Sequence, residues 1–437
     1  MILYLGGRYD CESWVIMEKV IEQNVKPLFF SYCIVLGASI LVVLGDIRSL
    51  VSPLGYWCAW IVIAFFGFAF SPSKAIFRIA RDQAGYLLFF LLLALAFMLS
   101  ALANTDVSTF YQGVKVLVIA LVFLSVYTHC SKLSVGDYYS LSVVSISVSL
   151  MFFSVSKFYF TDLHITLGDG RQGSQFAYPG VLWKTCAFFV LFVIVGVVYD
   201  GKSKVVGGGA IAAAFYLLVM DSSRTGFLVF SLGLGLMVIL TAYLKPRFFL
   251  LALLLAMIAS VVLFTLSALG LGFLNIEKNP LVIERLAAGD PVRAQMLVDG
   301  VKKFGDCLPF GCGFGTTTSE VQNSPMVVHN AFLSSGGDLG VMGFASLSVL
   351  IFLPVLMFLL RCASCFFSRN KSIDKAVFAY AVAAFGGSIS FALLLMLHPF
   401  STELSEWGIW ILMASALSVL SKRMINNNKV ECVQSEA

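Results

Sequence analysis

Apolar runs close to 20 residues long recur along the whole 437-residue chain, broken by short polar segments. Each run is long enough to cross a bilayer as a helix. In lipid a backbone must satisfy its own hydrogen bonds, so spans of this kind are expected to be helical. The pattern places twelve of them, at residues 28–45, 54–71, 85–103, 115–128, 139–157, 183–199, 205–220, 225–243, 248–272, 339–360, 376–397 and 407–421. No fixed-period repeat or low-complexity tract interrupts the series.

Composition agrees with the pattern. Hydrophobic residues make up 59% of the chain and charged residues 12%, where a soluble fold carries about a quarter charged. Residues 1–27 are mixed and polar and precede no cleavage-like site, so the first run is expected to remain as an anchor. Lys and Arg concentrate in alternate connections: Lys74, Arg78 and Arg81; Lys132; Lys202 and Lys204; Lys245 and Arg247; Arg361, Arg369, Lys371 and Lys375; Lys422 and Arg423. By the positive-inside bias these face the cytoplasm, together with both termini. The short connections opposite, ANTDVSTFYQG (103–113) and HPFSTELSE (398–406), have neither residue. The expected organisation is therefore an all-α polytopic membrane protein. Residues 1–27 form a cytoplasmic segment, 28–421 a transmembrane domain, and 422–437 a frayed cytoplasmic tail.

Two longer segments fall on the outward side, near 158–182 and 273–338. The second is a large insertion between the ninth and tenth spans. It contains a candidate soluble helix that Asp290 can cap, Pro291 can start and Gly305 can end. Val292, Met296 and Phe304 offer that helix an apolar contact surface.

The midsections of the spans contain no Asp, Glu, Lys or Arg, which counts against an ion-coupled transporter. No phosphate loop of the G-x-x-x-x-G-K-[ST] type occurs; FGCGFGTTTS (310–319) is glycine-rich but lacks the lysine and reads as a turn. Charged groups collect instead at outward helix ends and loops: Arg171 in GDGRQG, Arg224 in DSSRTG, Arg285 and Arg293 in the second loop, and His329. Guanidinium groups offer planar, bidentate donors to phosphate, and an imidazole can accept a proton near neutral pH. Asn330 can bind a hydroxyl or cap a helix. If VVHNAFLSSGGDLGVMGF (327–344) is helical, His329, Leu333, Gly336, Gly340 and Gly343 share one stripe. Gly336 and Gly340 would then let another helix approach closely; the Ser-Ser-Gly-Gly run is the place where the first turn could break.

Most of the ten cysteines lie in or near spans. Cys307 and Cys312 both fall in the outward insertion, where a disulfide can form. Cys362 and Cys365 make a C-x-x-C without a second ligand pair, and no compact cluster of His, Cys and carboxylates points to a metal.

His329-Asn330, nine residues, then Gly340-Val341-Met342-Gly343 resembles the signature of the O-antigen ligase and polymerase superfamily. Ser346 stands where that signature has Gly, Thr or Tyr. SSRTGFL (222–228), GDGRQGSQFAYPG (168–180) and VRAQMLVDGVKKFGDCLPFGCGFG (292–315) resemble further stretches in the same order, so the likeness covers roughly residues 160–420. It implies an inverting, metal-independent transfer of glycan from undecaprenyl diphosphate at the periplasmic face of the bacterial inner membrane, with no cofactor. By position, Arg224 and Arg293 match the functional arginines and His329 the histidine; Arg171 matches more loosely. Arg171, Asn330 and Arg285 are expected to bind substrate. The arginines would hold the diphosphate and His329 would take the acceptor's proton.

Two acceptors remain open within the superfamily: lipid A-core for a ligase, or a second lipid-linked repeat unit for a polymerase. The R-x10-G pattern expected of polymerases is not met. Arg171, Arg285 and Arg293 count to Leu182, Met296 and Phe304. The ligase reading is preferred. A lipid-linked oligosaccharide transporter is the alternative from another class, and membrane lipids, not nucleic acid, are the expected surroundings.

Overall fold

The computed structural model describes residues 28–167, 170–242, 244–247, 291–321, 324–367 and 374–434. Among them nine helices are long and apolar enough to cross a membrane. The architecture is that of an all-α multi-pass membrane protein. In chain order the elements are α1 (Leu28–Val43), α2 (Arg48–Ala69), α3 (Ser73–Asp82), α4 (Ala84–Asn104), α5 (Val107–Cys130), α6 (Val135–Phe158), β1 (His164–Thr166), β2 (Gln172–Ser174), α7 (Trp183–Tyr199), α8 (Lys204–Asp221), α9 (Arg224–Thr241), α10 (Pro291–Asp306), β3 (Thr318–Val321), β4 (Ser324–Val327), α11 (Ala331–Phe367), α12 (Lys375–Leu397) and α13 (Leu404–Gln434). The strands make two small antiparallel hairpins, β1 with β2 and β3 with β4. Eleven of the twelve expected spans fall on helices; of these, α1 and α7 are shorter than the other nine. The twelfth, 248–272, lies outside the described residues, as do Asp290 and Arg285.

Several helices start earlier than hydropathy places them. α5 begins at Val107 because Asp106 caps it, accepting from the backbone N–H of Ser108 at 2.9 Å and Thr109 at 3.2 Å. The outward connection expected at 103–113 thus shrinks to Thr105 and Asp106. α11 begins at Ala331, so Lys115 and Asp338 lie about two turns inside their helices. At the other extreme, α13 continues through Gln434. Its last 20 residues contain neither Gly nor Pro, and the tail expected to fray extends the helix.

α12 is the central post, packed by α7, α9, α11 and α13. It crosses α9 where two glycines meet: a Cβ on Gly386 would lie 2.8 Å from the Gly233 carbonyl oxygen. One turn further on, Ser390 Oγ donates to the Val229 carbonyl at 2.8 Å. This close crossing fixes the height at which α12 delivers Met396, Leu397 and His398. The end of the bundle where α12 finishes and α11 begins is called the upper end below.

α10 lies across that end. Met296 is buried, Phe304 packs on Gly336 of α11 and stacks with Phe344, and Gly300 abuts Val328 and Leu333. Val292, expected to share this contact, remains exposed. Gly305 falls inside the helix, which runs one residue beyond it.

Candidate functional site

Three helix ends meet at Asp221, the last residue of α8, whose side chain is fully buried. Its carboxylate accepts from the backbone N–H of Trp183, the first residue of α7, at 2.9 Å, and of Gly180 at 2.8 Å. The free amides at a helix start are a natural seat for a negative charge. Arg171, at the end of the β1–β2 turn, completes the shell: Nη2 lies 3.4 Å from Asp221 Oδ1 and Nε donates to the Asp221 carbonyl at 3.2 Å. After the left-handed turn at Ser222, Ser223 caps α9 through the Gly226 N–H. A Cβ on Gly226 would press on the Trp183 ring at 2.7 Å. The starts of α7 and α9 are thereby held together, each followed by a cation: Lys184 on α7 and Arg224 on α9.

Beside this junction Arg293, Ala294 and Leu297 of α10, His329 and Asn330, and Met396 and Leu397 of α12 line a cavity of about 190 Å³. His329 is not part of a helix. It stands before the cap of α11, and its Nδ1 lies 2.9 Å from the Val327 carbonyl oxygen. A carbonyl only accepts, so Nδ1 carries the hydrogen and Nε2 of the neutral ring keeps its lone pair. Asn330 caps α11: Oδ1 accepts from the Leu333 N–H at 3.1 Å while the residue also lines the cavity.

Immediately beyond Leu397 comes His398. Burial, then the charges of Lys184, Arg293, His329 and Arg171, push its pKa down to about 3. It is therefore a neutral imidazole at neutral pH, and Lys184, Arg293, His329 and Arg171 all act on it electrostatically. Lys184 is 95% covered, with Nζ 3.7 Å from Glu406 Oε1. The upper end thus carries a cluster of cations, offset by Asp221 and Glu406, around two imidazoles.

The residues singled out by sequence separate accordingly. Arg293, His329 and Asn330 share the cavity; Arg171 belongs to the same cluster through His398 and Asp221. Arg224 starts α9 at this end but does not line the cavity, and Arg285 lies outside the described residues. The expected stripe from His329 to Gly343 is not continuous, because α11 begins after His329 and breaks at Gly340, not in the Ser-Ser-Gly-Gly run. Gly340 has φ +74°, and a Cβ there would overlap the Pro309 carbonyl oxygen. Gly336 receives the Phe304 ring of α10, Gly340 receives the loop at Pro309, and Gly343 fits against Leu339 of its own kinked helix. Gly336 and Gly340 therefore admit α10 and the loop at Pro309 in place of a second span. Sequence alone does not single out Lys184 and His398; the one signal for them is a histidine directly at a span end in HPFSTELSE.

The glycine-rich FGCGFGTTTS does bind an anion, but one from this chain. Gly311, Gly313 and Gly315 all take positive φ. The loop so formed aims the Gly315 and Thr317 N–H groups at the Asp338 carboxylate, at 2.8 and 2.9 Å. Cys307 and Cys312 are joined by a disulfide at its base. Among the described residues no group of three or more His, Cys, Asp or Glu is placed to hold a metal ion. No family model and no curated protein matches this chain.

Proposed function

We propose that the protein is a glycosyltransferase of the O-antigen ligase type. It would move a glycan from undecaprenyl diphosphate to lipid A-core at the outer face of the inner membrane. One observation carries the reading: Arg293 of α10 and His329, which precedes α11, line one cavity, and both act with Lys184 and Arg171 on His398 beside it. The motif likeness running through Arg224, Arg293 and His329 agrees with it. So does the Cys307–Cys312 disulfide, since disulfides persist on the oxidising side of the membrane.

In the reaction an acceptor hydroxyl attacks the anomeric carbon as the carbon–oxygen bond to the diphosphate breaks. The electron pair leaves with the diphosphate, and Nε2 of His329 takes the hydroxyl proton. Arg293, with Arg171 and Lys184 near it, holds the negative charge as it grows. Arg224 binds the donor from the start of α9.

The test is a gel of lipopolysaccharide from a deletion strain carrying His329→Ala. Transfer is expected to fall about 10²–10⁴-fold, the usual yield of a positioned base, with normal protein levels. Bare core together with accumulating lipid-linked polymer is the expected pattern. Core bearing a single repeat unit would mean a polymerase instead, and full-length capping by the variant would remove His329 from the mechanism. A lipid-linked oligosaccharide transporter would show no transfer between donor and acceptor presented on one face of a proteoliposome.

A further inference from the structure

At the lower end of the bundle, remote from His329, a second cavity of about 90 Å³ opens between α3, α4, α11 and α13. Its polar wall is built. Arg361 of α11 donates through Nη1 to the Ser418 carbonyl at 3.1 Å and to Ser421 Oγ. These bonds use only part of the five N–H donors of a guanidinium, and Arg361 lines the cavity. Tyr86 and Ser418 join their hydroxyls at 2.8 Å beside it. Gln83 is 97% buried and lines the cavity, yet its side-chain amide makes no hydrogen bond to a described residue. Its polar atoms are reached from the cavity, so a donor and an acceptor are open to whatever fills it. Asp82 also lines the space, but Lys422 Nζ lies 3.5 Å from its carboxylate, so Arg361 supplies the net charge.

The remaining wall is apolar. Leu353 and Met357, one turn apart on α11, lead from the cavity towards Leu356 and Leu360, both more than half exposed on the lipid-facing side of that helix. α3 flanks the opening with Lys74, Arg78 and Arg81 on a short helix whose Phe77 is 77% exposed. Such a basic amphipathic helix lies in the headgroup layer of a membrane.

We propose that this cavity binds an anionic glycerophospholipid, with its phosphate against Arg361 and Gln83 and an acyl chain along Leu353 and Met357. A phosphate supplies the acceptors that both side chains face, and the adjoining apolar track distinguishes a lipid from a free anion. The site is independent of the transfer reaction at the upper end.

Native mass spectrometry of the purified full-length protein tests it, using micelles doped with phosphatidylglycerol, with phosphatidylcholine, or with inorganic phosphate alone. One phosphatidylglycerol is expected to stay bound where phosphatidylcholine is lost and phosphate does not compete. Arg361→Met should weaken retention roughly tenfold, the scale of one charged hydrogen bond, and Gln83→Leu severalfold. Should Arg361→Met fail to fold, Gln83→Leu, which keeps the cation, decides alone. Equal retention of both lipids, displacement by inorganic phosphate, or unchanged binding in the Gln83 variant would overturn the assignment.

Discussion

Asp221 and Asp338 are the same device used in two ways. Each is a buried carboxylate near the upper end of a helix, and each ties down a loop through backbone N–H groups. Asp338 closes its shell with hydroxyls. Thr317 Oγ1 donates to it at 2.6 Å, and Ser334 Oγ lies at 3.5 Å. Its own backbone carbonyl is bonded by Ser100 and Gly313. Asp221 closes its shell with Arg171, a partly exposed cation at the edge of the cluster about His398. A carboxylate saturated by neutral donors fixes a fold. One completed by an arginine also sets where a positive charge stands.

The largest expected effect lies on the Asp338 side. Asp338→Ala strands the donors of Gly315 and Thr317 beneath the kink of α11, at about 1–3 kcal/mol for each buried group left without a partner. Thermal unfolding in detergent should show a loss of at least about 3 kcal/mol, with disordering of the 311–317 loop. If the variant melts like the parent, the saturated carboxylate is not what holds that loop.

Asp221→Asn should act differently. The isosteric amide keeps the volume but turns one acceptor into a donor opposed to the N–H of either Gly180 or Trp183, which bond to different oxygens, and it releases the charge on Arg171. A stability loss of about 1–3 kcal/mol is expected, together with a fall in glycan transfer of roughly tenfold or more. Arg171→Gln should reproduce the transfer defect with less destabilisation, since the buried backbone bonds survive. Equal effects on transfer from Asp221→Asn and Asp338→Asn, after matching for folded protein, would erase the distinction between the two carboxylates.

Much of this was legible in the chain before its structure. Long apolar runs located eleven helices because burial in lipid demands them. The insertion helix was legible over the residues that follow Pro291, and the disulfide was one open reading of Cys307 and Cys312. What hydropathy missed was polar at the helix ends. The stretch from Val107 to Gln112 and the Ser-Ser-Gly-Gly-Asp run look like loops on a transfer scale. They are helical because Asp106 and Asn330 cap them and because the Thr109 hydroxyl and the Asp338 carboxylate find partners in the 314–317 segment. The grouping at His398 was hidden for another reason. Arg171, Lys184, Arg293 and His329 come from four separate segments, and no spacing within any one of them encodes that they converge. Tertiary packing of α12 on α7, α9, α11 and α13, the close Gly233–Gly386 crossing included, sets the height of His398.

The smallest effect separates the two regions by pH. His398 has its pKa near 3 in the folded protein against 6.5 for the free side chain, first through burial and then through Lys184, Arg293, His329 and Arg171. The unfolded chain therefore binds the proton more readily. Its contribution to stability is fully present above pH 6.5 and is lost as pH falls from 6.5 towards 3, by up to about 1.4 kcal/mol per unit. His398→Asn should flatten this slope between pH 6.5 and 5.5 by about 1 kcal/mol. The Asp338 region should leave the slope as it is when altered by Ser100→Ala, which removes a neutral bond to the Asp338 backbone carbonyl and spares its carboxylate shell. Melting curves of the three proteins at the two pH values give the answer. An unchanged slope in His398→Asn would mean that the imidazole is reached by water and that the cations do not crowd it.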